Sequence, residues 1–181
     1  MGTKYKIHNQ QGLYFLTFKV VGWIGVLTRK RYRDILINSL KYCQKNKGLR
    51  LYAYVIMSNH VHLVAAANEG YELSNILRDF KKFTAQQILK SIKEESENRR
   101  EWMLYLFEYF GKRNTNNRKY QFWGQDNHPI ELWSEPVSGQ KINYIHNNPV
   151  RAGLVAEPEH YLYSSASNYI SGTGLIDVEL F

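Results

Sequence analysis

Residues 55–64 read Val55-Ile-Met-Ser-Asn-His-Val-His-Leu-Val64, and the fold follows from how this stretch is parsed. Ser58 and Asn59 suit a tight turn, because their short side chains bond the nearby backbone and Asn tolerates a left-handed conformation. The apolar residues on either side then form two strands of one hairpin, Leu49 to Met57 and His60 to Ala67. Side chains alternate across a strand, so His60 and His62 project from one face and Val61 and Leu63 from the other. Two imidazoles side by side on a rigid strand make half of a metal site. The same pair also fits ordinary half-buried strand residues.

Working outward, Leu13 to Val21 is rich in aromatic and β-branched residues and predicts a first strand. Ile35, Leu36, Leu40 and Cys43 recur at helical spacing, so a helix is expected from about Arg29 to Lys45, stopped near Gly48. Beyond the hairpin, Leu73, Ile76, Leu77, Phe80, Phe83, Ile88 and Ile92 give the buried stripe of a second helix. Glu94 to Arg100 reads as a polar hinge, and Trp102 to Phe110 as a short helix. Residues 111–119 read as an exposed basic loop. Tyr120 to Trp123 and Ile130 to Trp133 read as short strand pieces. A third helix should begin near Pro136 and be stopped by Pro149, because the residue before a proline is pushed away from helical geometry. Antiparallel strands with interspersed helices predict an α+β fold with helices packed on one sheet face and the other open to a ligand. One domain is expected over 1–181, with a core of about 12–155 and a bracing segment of about 156–181.

The chain has 181 residues, and 44% are hydrophobic, a globular composition. No apolar run reaches the length of a membrane span, and the N-terminus lacks the apolar stretch of a signal peptide. Cys43 is the single cysteine, so neither an internal disulfide nor a cysteine metal cluster is possible. These features predict a cytoplasmic protein with no membrane association. The net charge of +8 and the 26 aromatic residues (14 Tyr, 8 Phe, 4 Trp) favour a polyanionic partner with unpaired bases. Candidate phosphate contacts are Arg29, Lys30, Arg31 and Arg33, which oppose the dipole of the first helix. Lys81 and Lys82 on the second helix join them, as do Lys112, Arg113, Arg118 and Lys119 in the basic loop. Solvated surface charge explains the same residues equally simply.

Tyr144 and Asn148 are four residues apart and share a face of the third helix. They offer a hydroxyl and a carbonyl oxygen, or else a packing tyrosine beside a helix-ending Asn-Pro. His146 lies roughly opposite Tyr144 and reads as a cap or phosphate contact. Lys141, one turn before Tyr144, reads as a solvated lysine or a partner for negative charge.

The segment Tyr144-Ile-His-Asn-Asn-Pro-Val-Arg-Ala-Gly-Leu-Val155, followed by Tyr161-Leu-Tyr-Ser-Ser165, resembles the signature of REP-associated tyrosine transposases. These are single-tyrosine HUH transposases of bacterial insertion sequences. Ser58-Asn-His-Val-His-Leu-Val64 resembles their histidine strand, and Asp79-Phe-Lys-Lys82 and Phe122-Trp-Gly-Gln-Asp-Asn-His128 also resemble theirs. The resemblance implies a ferredoxin-like or RRM-like sheet. It implies Mg²⁺ or Mn²⁺ held by His60, His62 and Asn148, where insertion-sequence relatives often carry Gln. It implies Tyr144 as the nucleophile on single-stranded DNA beside a hairpin, with a 5′-phosphotyrosine intermediate. It also implies a monomer or homodimer, since insertion-sequence relatives form dimers and REP-associated ones can act as monomers. Other readings are a domesticated hairpin binder, a replication initiator or relaxase, and a structural metal protein.

Overall fold

The computed structural model describes residues 7–114, 119–125 and 127–181. Its strands are β1 (Tyr14–Lys19), β2 (Leu49–Ile56), β3 (His60–Ala67) and β4 (Ile130–Glu131). Its α-helices are α1 (Lys30–Lys47), α2 (Leu73–Glu94), α3 (Arg100–Lys112), α4 (Glu135–Arg151) and α5 (Ala166–Ser171). The strands form one sheet in the order β2-β3-β1-β4, and every neighbouring pair is antiparallel. Taken along the chain this is a βαββαβ unit with its first and last strands side by side, the ferredoxin-like arrangement.

Alternation divides the sheet into two faces. Leu16 and Phe18 of β1 and Val61, Leu63 and Ala65 of β3 enter the main core with Leu36 and Leu40 of α1 and Leu77 and Phe80 of α2. Phe15 and Val64 point the other way and meet Ile142 and Ile145 of α4. Fully burying such side chains contributes about 1.5–3 kcal/mol each. In β2 the pattern changes parity at a register shift between Leu51 and Ala53. Leu49 and Leu51 face the main core before it and Tyr54 and Ile56 after it, which frees Ala53, Val55 and Met57 for the α4 face. One extra residue in a strand does this.

The outer edge of β2 is covered by chain from beyond α4. Ile56 N–H donates to Tyr163 O at 2.9 Å, Tyr54 N–H to Ser165 Oγ at 2.9 Å, and Glu179 N–H to Leu51 O at 2.9 Å. Tyr161 and Tyr169 hydroxyls add bonds to Ile56 O and Tyr52 O.

Three local expectations are corrected. Helix α4 does not stop at Pro149 but runs to Arg151. Proline removes one N–H bond near the end of the helix, and the chain is then locked by a Schellman pair: Leu154 N–H to Pro149 O at 2.9 Å and Gly153 N–H to Val150 O at 2.9 Å. Gly153 takes the left-handed backbone this needs, at φ 70. In α2, Phe83 is half exposed, and Thr84 lies in the buried stripe, its hydroxyl bonded to Phe80 O. Finally, the expected polar hinge contains a carboxylate, Glu97, whose side chain is fully buried.

Candidate active site

The β1–β3 register sets Thr17 opposite His62 and Lys19 opposite His60. All four side chains therefore emerge on the face that α4 crosses. They line a cleft of about 740 Å³ together with Phe15, Trp23, Tyr144 and Asn148. The two histidine rings lie 4.8 Å apart, and the Tyr144 ring is 5.4 Å from His62. Phe15 stacks on His62 at 5.2 Å and meets Tyr144 edge-on at 6.0 Å. Residues separated by more than eighty positions thus share one wall.

Neighbours fix how the histidines present themselves. Asn59 Oδ1 accepts from His60 Nδ1–H at 2.7 Å. A carbonyl oxygen can only accept, so the proton sits on Nδ1 and the Nε2 lone pair remains. Thr17 Oγ1 and His62 Nδ1 are hydrogen-bonded at 2.9 Å, which fixes the orientation of that ring. Burial pushes His62 down to about 3, with the neighbouring His60 and Lys19 adding to the effect. Burial also lowers His60, with Lys19, while a hydrogen bond to Asn148 works the other way. Both rings are therefore neutral at pH 7, the form that binds metals. Among the described residues, no three of His, Cys, Asp and Glu gather as a metal set. The donor set here is two imidazoles and an amide carbonyl. It suits Mn²⁺ better than Mg²⁺ and leaves coordination positions for phosphate oxygens.

One cation lies over the tyrosine and another over its neighbour Phe15. The Arg151 guanidinium is 5.6 Å from the Tyr144 ring, and Lys141 Nζ is 5.0 Å from the Phe15 ring. His146 lies on the far side of α4, buried, with Nε2 2.9 Å from Ser165 Oγ and its ring against Tyr169. It braces the helix and is neither cap nor phosphate contact.

The basic residues expected from sequence are dispersed. Arg29 Nε pairs with Glu97 at 2.7 Å, and Arg31 reaches Glu95 at 3.3 Å and Glu97 at 3.7 Å. The Tyr32 hydroxyl donates to the same Glu97 at 3.0 Å. Arg99 N–H, Tyr32 and Arg29 together outweigh burial and hold that carboxyl below its usual range. Lys30 pairs with Asp34, and Arg33 lies over the Tyr163 ring. Lys81 Nζ donates to Gly124 O and Asn127 Oδ1, while Lys82 is exposed on α2. Lys112 pairs with Glu108, Arg113 lies over Tyr109, and Lys119 over Tyr120. Arg118 lies outside the described residues.

Sequence reasoning missed Thr17, Lys19, Trp23 and Arg151 at the cleft, and the bonds of Asn59 to two of its lining residues, His60 and Trp23. The signal for Thr17 and Lys19 was present: they are the polar positions of an otherwise apolar strand, two residues apart. Trp23 carried none, because its place depends on a turn rather than a period.

A ferredoxin-like sheet with a histidine pair on an interior strand, faced by a helix bearing a tyrosine, defines the class of molecule. Residues 24–128 match the family described as transposase IS200 like, and the protein belongs to this IS200-like transposase family. That match covers the histidine hairpin and ends before α4. A solved REP-associated tyrosine transposase bound to a REP hairpin has a similar fold. Its TM-score is 0.68 at 16% identity, over 100% of this chain and 95% of that one. A candidate transposase from Deinococcus radiodurans aligns over 81% of this chain and 95% of its own, at 17% identity and a TM-score of 0.44. No curated protein matches. Among the described residues no helix is long and apolar enough to cross a membrane.

Proposed function

We propose that this protein cleaves and rejoins single-stranded DNA beside a hairpin, with Tyr144 as the nucleophile. The observation that carries the reading is the meeting of Tyr144 with His62 across 5.4 Å in a cleft lined by Lys19, Lys141 and Arg151. Tyr144 Oη attacks the scissile phosphorus as its proton departs. A tyrosine–phosphorus bond forms, the bond to the 3′ oxygen breaks, and that oxygen leaves as a 3′-hydroxyl. The 5′-phosphotyrosine conserves the bond energy, so a second 3′-hydroxyl reverses the step and joins a new strand. Lys141 and Arg151 hold the phosphate beside the tyrosine and offset developing negative charge. A divalent cation, Mg²⁺ or Mn²⁺, held by His60, His62 and Asn148 would polarise the phosphate and stabilise the leaving oxygen. The chain's own α4 brings Tyr144 to its own His62, and this supports cleavage in cis. A cytoplasmic location fits a DNA substrate. The hairpin bound by the structural neighbour supports the choice of substrate.

Labelled single-stranded DNA carrying a hairpin, incubated with protein and Mn²⁺, is expected to give a protein-linked band on denaturing electrophoresis. EDTA should prevent it. Tight hairpin binding with no such band on any substrate would favour a hairpin-binding module instead.

Phosphate contact is assigned to the cleft cations rather than to the start of α1. Replacing Lys19, Lys141 or Arg151 by Ala should flatten the slope of log affinity against log salt by about one unit each. Replacing Arg29 and Arg31 should leave the slope unchanged. It strips partners from a buried carboxylate, so a loss of about 2 kcal/mol is expected, roughly 4–8 °C in Tm. A reduced slope with unchanged Tm would return the α1 residues to the DNA interface.

A further inference from the structure

Trp23 stands at the mouth of the cleft with 56% of its surface exposed. Its backbone is left-handed at φ 55, a conformation a bulky residue rarely adopts. Among the described residues two non-glycine positions are left-handed, Trp23 and His128, and both line this cleft. Such conformations persist only where the surroundings over-determine them.

The surroundings of Trp23 do so. Asn59 Nδ2 donates to Trp23 O at 3.3 Å, Val20 N–H to Asn59 O at 2.8 Å, and Leu27 N–H to Ser58 O at 2.8 Å. The Ser58–Asn59 turn thus grips both ends of the segment carrying Trp23. Gly22 before it is also left-handed, at φ 60, and an added Cβ would meet the Phe110 ring at 2.6 Å. The support is rigid and the ring is held out of the core. The ring meets His60 edge-on at 6.1 Å, and Lys19 Nζ lies over the ring, 5.0 Å from its centroid.

We infer that Trp23 is a stacking platform for an unpaired nucleobase next to the phosphate that enters the histidine cleft. This rests on the strand-cleavage reading above. An exposed aromatic ring that carries a cation over it is a pattern that holds a base and its phosphate together, the base stacking on the ring and the cation meeting the phosphate. A base inside a duplex has both faces covered by its neighbours, so the occupant is single-stranded. Every base has such a face, so the platform grips the strand without choosing its sequence. Asn59 belongs to the same device as a positioning residue: one amide fixes the His60 proton and holds the Trp23 carbonyl.

The test uses a hairpin with a single-stranded flank in which abasic sites are introduced one at a time. Affinity is measured in EDTA, so no cleavage is needed. One abasic position should weaken wild-type binding by about tenfold. Trp23→Ala should weaken binding to the intact flank by a similar factor, and Trp23→Phe, which keeps a ring, by much less. The two losses should not multiply when Trp23→Ala meets the critical abasic site. Multiplying losses, or wild-type affinity in Trp23→Ala, would overturn the platform. The covalent band is scored on the same substrates. Coupled losses without any band would refute the Tyr144 reading and leave the platform standing, whereas a band with independent losses would refute the platform alone.

Discussion

Tyr144→Phe should bind hairpin DNA and Mn²⁺ nearly as the wild type does, and form no covalent adduct. The substitution removes one oxygen atom. Phe keeps the ring contacts with His62 and Phe15, at 5.4 and 6.0 Å, so the wall of the cleft remains. Ile142 and Ile145 continue to seat the helix on the sheet. What disappears is the only atom of this residue able to attack phosphorus, so the covalent band should fall below detection. Denaturing electrophoresis with labelled DNA reads this directly, and a melting curve confirms the fold. A persisting band would mean that another of the 14 tyrosines is the nucleophile and that α4 has a different role.

His62→Ala should lose the same band by another route. The tyrosine remains, but one of two imidazoles is gone, and with it the Thr17 bond and the stack on Phe15. Metal binding separates the two causes. A ligand that binds only the folded state stabilises it by about 2.7 kcal/mol at a hundred times its Kd. Saturating Mn²⁺ should therefore raise the wild-type Tm by roughly 5–11 °C. His62→Ala should show little of that rise, whereas Tyr144→Phe should show all of it. His146→Ala is the control: it removes a buried imidazole from the other side of α4, so it lowers the starting Tm but keeps the Mn²⁺ increment. A full increment in His62→Ala would end its assignment as a ligand.

What could be read from the sequence was what is signalled locally. The hairpin and the shared face of His60 and His62 rest on a period of two, and the helix bearing Tyr144 is marked by the prolines near its two ends. The Tyr52 parity change leaves no periodic trace, because one inserted residue in β2 looks like ordinary apolar sequence. Phe83 is apolar at a helical spacing, yet the stripe selects Thr84, whose hydroxyl is satisfied by Phe80 O and by Trp123 Nε1–H. Pro149 was read by its usual effect on a helix interior, but so near the helix end it breaks little. The pairing of Arg29 and Arg31 with Glu97 could not be read at all, because Glu97 lies more than sixty residues away. No window short enough to show a period contains both.

The Ser165 hydroxyl touches two parts of the molecule at once. It accepts from Tyr54 N–H on the edge of β2, 111 residues back, and it meets His146 on the far side of the tyrosine helix. The histidine pair, by contrast, sits on a hairpin whose strands are joined by a few residues. Contacts that close long loops cost more chain entropy and tend to form late. The two halves of the cleft therefore differ in how they are acquired: His60 and His62 come with a local turn, and the helix bearing Tyr144 is latched by chain made afterwards. A chain that has folded only its hairpin holds its two histidines side by side, but has yet to receive Tyr144 and the cations Lys141 and Arg151, which all arrive together on α4.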